Sequence, residues 1–198
     1  MKRILVIAAA LLTVIVAPVA ANDEEAIRVR LTGYQETPLT INSPASGEFK
    51  AKIHSDGSAI DYELTYRDLS SNVLQSHIHF GRPATTGGIV LFLCTNLTPP
   101  AGVPTPQPCP TTNPATITGT LTAADVIASS GTNAGQAIDP GAAGFAEMIK
   151  AIRAGAAYVN VHTTNHTGGE IRSRLGPLGF EHRRDHHHNG DHGRDHDH

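Results

Sequence analysis

The chain has 198 residues with 39% hydrophobic and 17% charged residues and a formal net charge of −3, a composition that suits one globular domain with a real core. Its acidic balance and the lack of a basic patch outside the ends argue against nucleic acid as a partner.

Residues 1–21, "MKRILVIAAALLTVIVAPVAA", combine a basic start, an apolar stretch and small residues at the end. That pattern predicts a secretory signal peptide cleaved near Ala21. A membrane anchor is the alternative, but the apolar run is short against the ~20 residues of a span, and Pro18 interrupts its end. No cysteine follows the small residues, so a lipid anchor is not expected. Export to the periplasm or beyond the cell follows as an expectation, with no membrane span after cleavage. Removal of Lys2 and Arg3 would leave 13 basic residues against 18 acidic ones.

The next segments alternate with period two. In 26–31, Ile27, Val29 and Leu31 alternate with Arg28 and Arg30. Phe49, Ala51 and Ile53 alternate with charged residues, and Ile60, Tyr62, Leu64 and Tyr66 follow after a turn at Asp56-Gly57, which reads as a hairpin. In "VLQSHIHF", Leu74, Ile78 and Phe80 face one side and Val73, Gln75, His77 and His79 the other. "GIVLFLC" is continuously apolar and reads as a strand buried on both faces. "ATITGTLT" alternates Ala115, Ile117 and Leu121 with threonines. "AAYVNVHT" places Ala157, Val159 and Val161 inward and Tyr158, Asn160 and His162 outward, and "GEIRSRLG" reads as the closing strand. Phe145, Met148, Ile149 and Ile152 fall at helical spacing, which predicts a short helix over about 144–154 ending at Gly155. Thr122 is placed to cap a further helical turn.

Seven or eight short strands with frequent turns predict an all-β fold, an antiparallel sandwich or barrel with one short helix. The domain is expected over 22–178. Residues 181–198 carry seven of the twelve histidines and no apolar residue, so a tail over 179–198 is expected to be disordered. His186, His187, His188, His192, His196 and His198 make it a weak metal collector.

Cys94 and Cys109 flank a proline-rich loop, and an exported chain meets an oxidising compartment, so a disulfide is expected. A thiolate metal site suits neither the wide spacing nor the compartment.

His77 and His79 share a strand face, with Cα atoms roughly 6.6 Å apart, a spacing that suits one ion between two rings. His162 lies on a separate strand and His166 in the loop after it; the four histidines form a candidate copper or zinc site. The plainer reading is that His77 and His79 are polar residues on a wet sheet face, as His54 is on its own strand. Glu170 stands near His162 as a base, or pairs with Arg172 or Arg174. Gly81, Gly87, Gly88, Gly168 and Gly169 are expected to supply positive φ in tight turns, bringing both histidine motifs to one end of the fold. No G-x-S-x-G elbow is present and neither cysteine is expected to be free, so no catalytic residue is assigned.

"HIHFGRPATTGGIV" with "VNVHTTNHTGGEIRSRL" downstream resembles the CHRD domain family, a module repeated in chordin and found singly in exported bacterial proteins. The opening "RLTGYQETPLTINSPASGEFKAKIHSDGSAIDYELTYRDL" is similar to the family's N-terminal pattern, and the resemblance covers about 28–175. The long proline-rich loop over 95–110 departs from it. A weaker similarity is to the β-sandwich of copper–zinc superoxide dismutases, whose copper ligands include an H-x-H before a glycine and a late histidine. "SRLG" at 173–176 is reminiscent of their C-terminal segment, but the bridging histidine and zinc cluster are missing. The CHRD resemblance implies no assigned reaction; two independent histidine-rich features in one exported chain point to a domain that binds copper or zinc. The alternatives are a non-catalytic module with a protein or cell-envelope partner, and, ranked last, a copper oxidoreductase of the dismutase type.

Overall fold

The structure, a computed structural model, describes residues 25–99, 104–128 and 135–176. The expected leader over 1–21 and tail over 179–198 lie outside the described residues. No helix among the described residues is long and apolar enough to cross a membrane.

Among the described residues eight strands form: β1 (Glu25–Thr32), β2 (Ser46–Ile53), β3 (Ala59–Arg67), β4 (Val73–Phe80), β5 (Gly88–Thr95), β6 (Ala115–Thr122), β7 (Ala157–Thr163) and β8 (Ile171–Leu175). They pair antiparallel in one sheet of order β5-β4-β7-β8-β1-β2-β3-β6. Its two edge strands curl toward each other. Leu91 of β5 bridges Val126 just beyond β6, and Ile127 N–H donates to the Val90 carbonyl at 3.0 Å. The sheet is therefore a nearly closed barrel, which leaves little edge for foreign strands to pair with.

The period-two pattern produces this directly. Phe49 pairs with Leu64 and Ile53 with Ile60, so the hairpin's apolar residues share one face. At its turn Gly57 has φ +70° and its N–H donates to the His54 carbonyl at 2.8 Å, a conformation glycine adopts without strain. Leu31, Phe49, Ile53, Leu64, Ile78, Leu91, Val159 and Ile171 fill the interior. Among the described residues one α-helix, α1 (Ala142–Arg153), buries Phe145, Met148, Ile149 and Ile152 against the same core. It starts two residues earlier than its apolar spacing marks, and Gly155 follows it at φ +64°. The expected turn at Thr122 is a short 3₁₀ helix (Ala123–Asp125). The Thr122 hydroxyl accepts from Ala124 N–H, and the Asp125 carboxylate accepts from Thr122 N–H.

Two strand readings differ in detail. Register shifts interrupt β4, one of them between Val73 and Gln75, so Val73 turns into the core rather than onto the histidine face. In β5, Ile89 and Phe92 are only half-buried, because the outer side of this edge strand is not fully covered.

Cys94 and Cys109 are disulfide-bonded, 15 residues apart in sequence with Cα atoms 4.9 Å apart. The proline-rich loop they close is also held by polar bonds. Gln107 donates to the Tyr62 hydroxyl at 2.7 Å, and the Tyr66 hydroxyl donates to the Pro110 carbonyl at 2.7 Å. Closing a loop of this length stabilises a fold by about 3 kcal/mol in the chain-entropy account. Replacing both cysteines by serine is expected to lower unfolding stability by about that amount in urea titration. An unchanged midpoint would contradict the loop's contribution.

Candidate metal centre

β4 lies directly beside β7. Gln75 pairs with His162, His77 with Asn160 and His79 with Tyr158. On the far side of β7, Asn160 pairs with Arg172 and Tyr158 with Arg174 of β8. Directly opposed residues leave a sheet on the same face, so this register gathers His77, His79, Tyr158, Asn160, His162 and Arg172 on the side opposite Ile78, Val159 and Val161. That face is not wet, as the plainer reading had it. His77 is 0% exposed and His79 and His162 are 6% exposed.

The loops supply the cover. Loop 81–87 folds back, with Gly87 N–H donating to the Tyr158 hydroxyl at 3.1 Å, and Gln136 ties it down through the Phe80 carbonyl and Gly88 N–H. Thr37 from the loop after β1 and Thr85 meet over Arg172, whose guanidinium donates to the Thr37 hydroxyl and the Thr85 carbonyl. On the third side the loop over 163–170 is pinned by Glu170. Its carboxylate accepts from Ser43, Thr163, and both the amide and hydroxyl of Ser70.

Inside this cover the three histidines offer ring nitrogens that all lie within 4.8 Å of one another. His79 Nδ1 lies 3.0 Å from the Gly87 carbonyl and His162 Nδ1 2.9 Å from the Thr167 carbonyl. A carbonyl only accepts, so each Nδ1 carries the ring's proton and each Nε2 presents a lone pair. Both Nε2 atoms point to the Asn160 side chain, at 3.1 and 3.0 Å. His77 differs: it packs edge-on to Phe92, and neither of its ring nitrogens has a hydrogen-bond partner among the described residues.

Burial keeps these rings neutral. It pushes His77 well below the ordinary imidazole range, with the neighbouring His162 and His79 adding to the shift. Burial likewise lowers His79, to about 4, and lowers His162. Neutral imidazoles with oriented Nδ1–H groups are the form that binds metal.

Beside the histidines runs a stack. Tyr158 lies parallel to His79 with centroids 4.5 Å apart, and the Arg172 guanidinium sits 3.4 Å from the Tyr158 ring centre. Beyond Arg172 lies Glu36, 4% exposed, with Oε1 unpartnered. A side chain at Gly169 (φ +126°) would overlap the Glu36 carboxylate, so glycine is required there.

Of the predicted residues, His77, His79 and His162 converge, and strand pairing rather than turns brings them together. His166 is half-buried in the loop after β7 and stands outside the group; its N–H and carbonyl both bond Thr163 in a turn. Glu170 neither faces His162 as a base nor pairs with Arg172 or Arg174; it is the loop anchor described above. Burial raises its pKa, but the bonds from Ser43, Thr163 and Ser70 outweigh that and hold it below the ordinary carboxylate range. Arg172 belongs to the site's wall. Among the expected positive-φ glycines only Gly169 has that conformation. Gly81 and Gly87 are needed for space instead: side chains there would meet Tyr158 and the Phe80 carbonyl. Asn160, Tyr158 and Glu36 were not singled out from the sequence. Their signal was the alternation that put Asn160 and Tyr158 on the face of His162.

Glu36 gives this region a pH dependence. Burial pushes its carboxyl up to about 7, partly opposed by Arg172. A carboxyl raised on folding weakens the fold as pH climbs from its unfolded value toward its folded one. Glu36→Gln removes that effect, so its stability advantage over the natural protein should open between about pH 4.5 and 7 and level off above. At 1.36 kcal/mol per unit the gap is bounded by about 3 kcal/mol. Parallel stability curves for the two proteins would contradict the buried, protonatable state of Glu36.

Comparison with protein families matches residues 27–175 to the CHRD domain. No curated protein and no solved structure matches the chain. The matched span runs from β1 to the end of β8 and contains every residue of the candidate centre, and on that evidence the chain belongs to the CHRD domain family.

Proposed function

We propose that this CHRD domain is a transition-metal-binding module, with His77, His79 and His162 as ligands and copper or zinc as the ion. The observation that carries the reading is His77, fully buried with both ring nitrogens unpartnered. A buried polar group without a partner costs about 1–3 kcal/mol, and a metal ion would satisfy one of the two ring nitrogens. The chemistry of the donor set agrees, since imidazole nitrogens suit both zinc and copper. Nitrogens bound to zinc at ~2.0–2.1 Å lie closer together than the 4.8 Å seen here, so the rings must draw inward on loading. Export through the 1–21 leader and collection of metal by the tail histidines belong to the same proposal.

A structural module is the second reading. It is favoured by His79 and His162, whose Nδ1 atoms donate to backbone carbonyls and whose Nε2 atoms both face the Asn160 side chain. A copper oxidoreductase would use the same three rings, but their burial favours holding an ion over turning over a substrate.

His77→Leu separates the readings in a chain lacking residues 179–198. As a ligand, His77 is kept at a cost to the metal-free fold. Leucine should leave metal-free stability unchanged or higher while lowering zinc and copper affinity at least a hundredfold. Clear destabilisation with unchanged affinity, by calorimetric titration and thermal unfolding, would instead make His77 architectural.

A further inference from the structure

The geometry points to Asn160 as the fourth donor of the histidine site and as its gate: without an ion its amide nitrogen bridges His79 and His162, and with an ion its amide oxygen binds. This rests on the metal-binding reading and adds a ligand, a selectivity and a conformational step to it.

The Gly87 and Thr167 carbonyls fix the single proton of His79 and of His162 on Nδ1. Both Nε2 atoms are then acceptors. The atom between them is Asn160 Oδ1, at 3.1 Å from one and 3.0 Å from the other. It too is an acceptor, so three lone pairs converge with no proton among them.

Two arrangements resolve this. In one, the amide turns over, and the two hydrogens of Nδ2 reach one Nε2 each. In the other, a cation sits among the lone pairs, with His77 completing the set. The oxygen and nitrogen ends of an amide have nearly the same shape, so both arrangements fit one cavity without repacking. The backbone of Asn160 does not need to move. It is held between β4 and β8, and its carbonyl accepts from the Ser76 hydroxyl at 2.7 Å.

Asparagine suits both arrangements because one side chain carries a donor end and an acceptor end. Aspartate serves only the loaded state and alanine serves neither. Three imidazoles plus a hard carboxamide oxygen form a neutral donor set that favours a divalent ion, zinc or copper(II), over the softer copper(I).

The test uses the full chain, 15N-labelled, with zinc as the probe, and compares it with Asn160→Asp and Asn160→Ala. In the natural protein, zinc should move the ring nitrogens of His79 and His162 together with the Asn160 side-chain amide. Asn160→Asp should bind zinc at least tenfold tighter while its metal-free form melts lower. Asn160→Ala should bind at least tenfold weaker. If the ring nitrogens move but the Asn160 amide stays still and both variants bind as the natural protein does, Asn160 is no ligand and the three-histidine site stands alone. If zinc leaves the ring nitrogens of the natural protein unmoved, the metal reading falls and this inference with it. The wild-type spectra decide even if a variant fails to fold.

Discussion

Pairing β4 against β7 puts His77 opposite Asn160 and His79 opposite Tyr158, and the opposed side chains must leave the sheet together. Strands about 4.8 Å apart then hold imidazoles from two distant segments within reach of one ion. Everything else at the site follows from that register. The same hydrogen-bond ladder sends Ile78, Val159 and Val161 into the barrel, so the pairing is fixed by the hydrophobic core and not by the histidines. A slip of one residue would place the imidazoles in the core and the aliphatic chains outside, which burial strongly disfavours.

A sheet face lined by polar residues is ordinarily wet. Here three loops cover it, and each is fastened by a specific group. Arg172 fastens Thr37 and Thr85, Tyr158 fastens Gly87, and Glu170 fastens Ser43, Ser70 and Thr163. Dryness has chemical consequences: it keeps the imidazoles neutral, strengthens the carbonyl bonds that orient two of them, and leaves the unpartnered nitrogens of His77 costly. The region is therefore organised around holding three neutral nitrogens in place.

Much of this was legible in the residues. Period-two alternation marked β1 to β4, β6 and β7, the continuous apolar run "GIVLFLC" marked β5, and helical spacing located α1. Cys94 and Cys109 were readable as a pair from context. The histidine cluster was readable only as a suspicion. Alternation says which residues share a face of a strand, but not which strand lies next door, and the β4–β7 contact spans some eighty residues of sequence. Nor does it say what covers a face. Nothing in "GYQETP" announces that Thr37 will meet Arg172, and an asparagine in a strand reads as one more polar residue. A structural role for Glu170 was legible but its partners were not, for the same reason: the nearest arginines in sequence are not the partners the fold provides. Gly81 and Gly87 were credited with turn geometry, whereas the close approach of neighbouring groups is what excludes a side chain there.

The proposed metal centre places one ion among three buried imidazoles. The most direct measurement is anomalous diffraction at the zinc edge from crystals of the domain loaded with one equivalent of zinc. A bound ion should give a single strong peak enclosed by His77, His79 and His162, within about 2.1 Å of a nitrogen of each ring. A clear space between the rings, with zinc found only at surface groups, would contradict it.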